Sequence, residues 1–94
     1  MNSTVDDVAE KTAGLSEQVT QAVNHYLMSM MDEEANLNLH QLIIEIVEAS
    51  LFRTVMEISR RNQSKATRVL GVSRGTLRTK LKRYFDDEFI GTRN

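Results

Sequence analysis

The chain has 94 residues, 40% hydrophobic and only 5% aromatic, with no cysteine, no proline and a formal net charge of −1. That length supports one small domain at most, and a core of this size often gains stability by association with a second copy. The absence of cysteine excludes disulfides and thiolate metal sites, no apolar run approaches the ~20 residues of a bilayer span, and the polar, acidic start MNSTVDDVAEK is unlike a secretion signal; a soluble cytoplasmic protein is expected.

With no proline and four glycines, breakers are few and the clear periodicity is helical throughout. Residues 1–15 show no strong period and read as a flexible arm. A first helix is expected from Ser16, a capping residue with Glu17 near the positive helix end, to about Met31. Its apolar face is Val19, Ala22, Val23, Tyr26, Leu27 and Met30, and Asp32 to Asn38 then reads as an exposed connection. A longer helix follows from about Leu39 to Arg60. Leu39, Leu42, Ile43, Ile46, Val47, Ser50, Thr54 or Val55, and Ile58 make one stripe, while Ile44, Leu51, Phe52 and Met56 lie off it. A helix apolar nearly all round must be enclosed by neighbours, and this chain has too few other helices to do so. The pattern predicts an intertwined homodimer: the long helices cross, the first helices pack alongside, and a shared four-helix core draws on Val23, Leu27, Leu42, Ile43, Ile46, Val47 and Ser50. Residues 16–61 are thus the dimerisation helices of an all-α protein with four helices per chain.

The segment 62–84, NQSKATRVLGVSRGTLRTKLKRY, has the outline of a helix-turn-helix. Asn62 is placed to cap a helix running to about Leu70, with Ala66, Val69 and Leu70 inward. Gly71 supplies the sharp turn, Val72 fills the corner, and Ser73 caps a fourth helix from Arg74 to about Tyr84. Leu77, Leu81 and Tyr84 form the inner face of that helix, and Arg74, Arg78 and Lys82 an outer one. The charge is sharply divided. Residues 58–84 carry nine bases and no acid, whereas residues 1–57 sum to −8 and the tail 85–94 to −2. A basic face with an acidic remainder suits a polyanion bound on one side. The fourth helix then reads as a recognition helix entering the major groove of duplex DNA. Ser73 and the amides at the helix start suit a phosphate, Arg74 can donate two hydrogen bonds to guanine, and Arg78 is a second candidate one turn on. Thr76, Lys80, Lys82, Asn62, Ser64 and Lys65 are expected phosphate or sugar contacts.

The run RGTLRxKLK at Arg74–Lys82 within this segment resembles the Fis proteins, small bacterial nucleoid-associated homodimers that share the module with NtrC-type activators. The likeness extends more loosely over Leu15–Arg61. What it implies is an all-helical dimer that binds degenerate, roughly palindromic sites, bends DNA, compacts the chromosome at the nucleoid and tunes transcription, with RNA polymerase or a site-specific recombinase as further partners. Family members carry a mobile β-hairpin arm that contacts DNA invertases, where this chain has a short acidic segment, and some carry a proline that kinks the long helix, where this chain has Ser50. The acidic tail DDEFIGTRN reads as an exposed end, with Phe89 and Ile90 able to pack back.

Nothing in the sequence points to catalysis or a cofactor. His25 and His40 lack metal-ligand spacing, Met28, Met30, Met31 and Met56 read as core fillers, and Asp32, Glu33 and Glu34 lack the pattern of a calcium loop. Two competing functions remain: a local transcriptional co-regulator of the NtrC C-terminal type, and a helical interaction module whose basic helix binds an acidic partner or RNA.

Overall fold

The computed structural model describes residues 3–30 and 38–90, with side chains from Asp6 onward. They form four α-helices and no strand: α1 (Ser3–Ser29), α2 (Leu39–Ile58), α3 (Gln63–Leu70) and α4 (Arg74–Phe85). The expected connection at 32–38 lies, apart from Asn38, outside the described residues, as do Met31 and positions 91–94 of the tail. The chain divides into two compact units, residues 1–36 and 37–94, each described by itself.

In the first unit the helix begins at Ser3, well before the expected start at Ser16, so Ser16 lies inside α1 and the segment taken for a flexible arm is helical from its third residue. Local chemistry explains this. Asp6 sits in the first turn, where a carboxylate favours the positive helix end, and Lys11 reaches back to Asp7 at 3.1 Å, one turn away. Ala9 and Ala13 add strong helix formers, and no proline interrupts. Val8, Leu15, Val19 and Met28 are exposed along α1, whereas Val23, Tyr26, Leu27 and Met30 are half-buried.

The second unit is a three-helix arrangement in which α2, α3 and α4 all touch one another. Its core is Phe52, Val55 and Met56 of α2, Ala66 of α3, Leu77 and Leu81 of α4, and Phe89 from beyond α4. The i, i+4 spacing of Leu77 and Leu81 places both on one face of α4, where neither retains any exposure. Phe52 and Met56, which lie off the long helix's main stripe, join Val55 as the residues that α2 gives to this core. The stripe itself stays largely open: Ile46 and Val47 are each 47% exposed and Ile58 is 68% exposed. Val69, expected to face inward, is exposed instead, because the inner row of α3 runs along Gln63, Ala66 and Leu70, and Val69, one residue before Leu70, is rotated ~100° from it.

The turn from α2 to α3 is made without glycine. α2 ends at Ile58, Ser59 turns its buried hydroxyl back onto the Val55 carbonyl at 2.7 Å, and Arg60 and Arg61 both adopt left-handed conformations, with φ of 54° and 64°. The backbone is secured by Arg61 N–H donating to Met56 O at 2.7 Å and Asn62 N–H to Ser59 O at 3.1 Å. A left-handed residue with a Cβ costs about 1–2 kcal/mol. At Arg61 the cost is offset, since its guanidinium donates to the Glu88 carbonyl and lies 4.6 Å from the centre of the Phe89 ring. Arg60 is exposed and has no such partner among the described residues. Substitution Arg60→Gly should therefore stabilise the fold by about 0.5–1 kcal/mol, whereas Arg61→Gly should destabilise it; thermal unfolding of the two variants gives opposite shifts in Tm.

Candidate nucleic-acid interface

Both helices of the helix-turn-helix start on a side-chain cap. Asn62 Oδ1 accepts from the Lys65 N–H at 3.0 Å and fixes the start of α3, and Ser73 Oγ accepts from the Thr76 N–H at 3.1 Å and fixes the start of α4. Between them Gly71, at φ 72°, closes α3 by donating its N–H to Thr67 O at 2.8 Å. That left-handed geometry is open to glycine at no steric cost. The caps thus set the angle at which α4 projects. They also commit part of what the sequence assigned to ligand contact, because Asn62 and Ser73 spend their acceptor oxygens on backbone amides.

The face built by these two helix starts brings several of the expected residues together. Arg74 Nη1 donates to Ser64 Oγ at 3.3 Å, and Arg78 Nη1 donates to Gln63 Oε1 at 3.0 Å, so the two arginines lie across from the first turn of α3. Both are exposed, and among the described residues neither has a carboxylate partner; the same holds for exposed Lys65 and Arg68. Ser73 also donates its hydroxyl to Thr76 Oγ1 at 3.0 Å, which leaves the Thr76 O–H able to donate outward. At Gly75 an added Cβ would meet, among the described residues, only Ser73 Oγ, at 4.0 Å, so none of them requires glycine on this surface.

Two of the nominated lysines are placed differently. Lys80 points away from the Arg74–Arg78 face toward α2, where its ammonium sits 3.0 Å from Glu48. The Tyr84 hydroxyl donates to the same carboxylate, and Arg83 pairs with Glu45 one turn away. This cluster clamps α4 to α2. Lys82 stays on the outer side, exposed, but bonds to Asp87 in the tail at 2.9 Å.

The tail is exposed at Asp86, Asp87 and Glu88, but Phe89 packs back, as its sequence allowed, and closes the core. Phe89 is 1% exposed and stacks edge-on against Phe85 with ring centres 5.4 Å apart. Glu88 forms a two-point pair with Arg53, at 2.8 and 2.9 Å, and the Arg53 guanidinium lies 4.4 Å from the Phe85 ring centre. Sequence reasoning did not single out Arg53, Arg61, Gln63 or Glu88. One signal was available: Leu77, Leu81, Phe85 and Phe89 continue the same four-residue spacing past the end of α4.

The pKa directions follow these contacts. Glu48 is held below the ordinary carboxylate value by the Tyr84 hydroxyl first and Lys80 second, and Glu88 by the Arg53 guanidinium. Tyr84 is pushed above the usual phenol value, chiefly because its proton is donated to Glu48. A lowered carboxylate stabilises the fold above its unfolded pKa and loses that effect as pH falls through the folded value. A raised phenol acts in the other direction and loses its effect as pH rises through the folded value. Replacement Glu48→Gln should cost about 0.5–1 kcal/mol at neutral pH, the low end reflecting partial exposure. The Tm difference from wild type should shrink both in acid, as Glu48 is protonated, and in strong alkali, as Tyr84 ionises; melting curves across pH check this.

A family model described as "Bacterial regulatory protein, Fis family" matches residues 43–84, from within α2 to the end of the helix-turn-helix. The DNA-binding protein Fis of Aeromonas hydrophila subsp. hydrophila is 36% identical over 85 residues, covering 89% of this chain and 86% of the relative. That of Proteus mirabilis is 38% identical over 79 residues, 84% of this chain and 78% of its own length. That of Actinobacillus succinogenes is 43% identical over 70 residues, covering 74% and 70%. No solved structure gives a significant match. A capped helix-turn-helix with a basic outer face defines a bacterial regulatory protein of the helix-turn-helix class. Within that class the chain belongs to the Fis family.

Proposed function

We propose that this chain is a Fis-like homodimer that binds duplex DNA, bends it, and serves nucleoid organisation and transcription regulation at degenerate palindromic sites in the cytoplasm, without enzymatic activity. The observation that carries the reading is the arrangement of α4. One face is locked into the core by Leu77 and Leu81, and the side toward the start of α3 presents Arg74 and Arg78 at successive turns with no carboxylate to compete for them among the described residues. Curated relatives named DNA-binding protein Fis support it over most of the chain.

In this reading α4 enters the major groove by its N-terminal turn. Arg74 reads a guanine through two hydrogen bonds, and Arg78 reaches a base or a flanking phosphate. The outward Thr76 hydroxyl, the α4 amide groups at Ser73, Lys65, Ser64 and the Asn62 amide nitrogen take phosphate or sugar oxygens. Lys82 exchanges Asp87 for a phosphate. Lys80 holds α4 against α2 through Glu48 and is left out of the contact set. RNA polymerase or a site-specific recombinase as further partners of the bound dimer rests on the family membership alone.

The dimer is supported by the open stripe of α2. Ile46, Val47 and Ile58 of that stripe, with Ile44 and Leu51 beside it, are each about half exposed or more, apolar surface that a lone chain leaves in water. Two copies joined there would present two recognition helices to the half-sites of a palindrome. A charge at the centre of that stripe, Val47→Glu, should yield a folded monomer by light scattering and lose palindromic binding.

The decisive test compares binding to the duplex most enriched from a randomised library with binding to the unselected pool, over a salt series. Arg74→Ala should cost about 1–3 kcal/mol on the selected duplex and relax one base pair, whereas Lys82→Ala should weaken both duplexes alike and lower the salt slope by about one. Equal loss on both for Arg74→Ala would remove its base-reading role. Equal affinity for double-stranded RNA would favour the interaction-module alternative, because the A-form major groove is closed to a helix.

A further inference from the structure

Gln63 is a polar side chain with no exposure at all, set at the first position of α3 directly beneath the proposed reading face. Its amide is engaged at both ends. Oε1 accepts from Arg78 Nη1 at 3.0 Å, and Nε2 donates to the backbone carbonyl of Phe89 at 3.2 Å. The chemistry permits only this orientation, since the guanidinium has nothing but donors and a carbonyl nothing but acceptor capacity. The carbonyl in turn is held in place by the burial of the Phe89 ring and by Arg61, which bonds to the neighbouring Glu88 carbonyl.

We propose that Gln63 is a positioning residue for Arg78, and that the segment Asp86–Ile90 belongs to the DNA-reading apparatus because the Phe89 carbonyl aims the Gln63 amide. The proposal rests on the reading of α4 as a recognition helix. An exposed arginine otherwise samples many rotamers, and ordering it on contact with DNA opposes binding. One hydrogen bond donated to a buried amide oxygen fixes the guanidinium before contact and leaves its other N–H groups for the ligand. Fixing matters most where geometry is demanding, at a bidentate base contact, and least at a phosphate, which accepts from many directions. The relay therefore affects discrimination between sequences more than affinity for DNA in general.

The test is a double-mutant cycle on the full chain with Gln63→Met, Arg78→Met and both, using the selected duplex and the unselected pool as probes. Gln63→Met should reduce the preference for the selected duplex by about three- to tenfold, with the pool affinity nearly unchanged, and should have no further effect once Arg78 is methionine. Equal loss on both duplexes, or full additivity with Arg78→Met, would overturn the relay and leave Gln63 as a structural residue. A second measurement needs no variant. In the wild-type protein free of DNA, nitrogen relaxation at the Arg78 guanidinium should report an ordered side chain, against a mobile one at exposed Arg68; equal mobility would overturn the proposal. If Arg78→Met itself leaves discrimination intact, the reading of Arg78 at the DNA fails, a result distinct from failure of the relay.

Discussion

The orientation of α4 depends on a contact region of very few side chains. Leu77 and Leu81 present one face of the helix to Met56, Ala66 and Phe89, and all five are excluded from solvent or nearly so. A core this small has little redundancy. Removing one large apolar side chain from it costs about 2–5 kcal/mol, a substantial share of what holds a domain of this size folded. The polar contacts around it act in a supporting capacity: the Glu48 cluster stops α4 from rolling off α2, and the caps at Asn62 and Ser73 fix where each helix begins. Because these groups are partly exposed, their contribution lies more in fixing one geometry than in adding stability.

The same core explains the division of charge along α4. A helix with one apolar face has two flanks and an outer side. The flank toward α2 meets Glu45 and Glu48, and Lys80 and Arg83 are neutralised there within the protein. The side toward the start of α3 meets hydroxyl and amide groups, which hold Arg74 and Arg78 without cancelling their charge. Of the nine bases between residues 58 and 84, then, only a subset keeps its charge free of an internal carboxylate among the described residues. The net charge of a segment overstates the field it presents when its own domain supplies counter-charges.

How far the sequence carried the reading can be seen residue by residue. α3 and α4 were legible because their signals are local: an asparagine and a serine at caps, a glycine where φ turns positive, leucines four apart. The family resemblance rested on that stretch, and the family membership agrees with it. The α2–α3 turn was not legible, since two consecutive arginines in left-handed conformations carry no sequence mark and are held by tertiary contacts. α1 extends further toward the N-terminus than its periodicity indicates, because good helix propensity between residues 3 and 15 goes with weak amphipathic character there. At the interface, residue type suggested which side chains could meet an anion, but the direction of Lys80 depended on a glutamate 32 positions earlier. Gln63 looked like an ordinary polar residue after a cap, and its burial depends on a phenylalanine 26 positions away.

The seating of Phe89 also bears on where this folding unit ends. The family pattern stops at residue 84, and a boundary drawn there coincides with the last charged turn of α4. The cooperative unit continues at least to Ile90, since Phe89 closes the floor over Met56 and Leu81, and Glu88 ties that floor to Arg53 in the middle of α2. A fusion or excised fragment that joins at Tyr84 would carry every residue of the pattern and still lack one wall of its interior, exposing the apolar surface that Phe89 covers. The limits of a recognisable motif and the limits of what folds as one piece differ here by a short acidic segment whose one buried ring completes the packing.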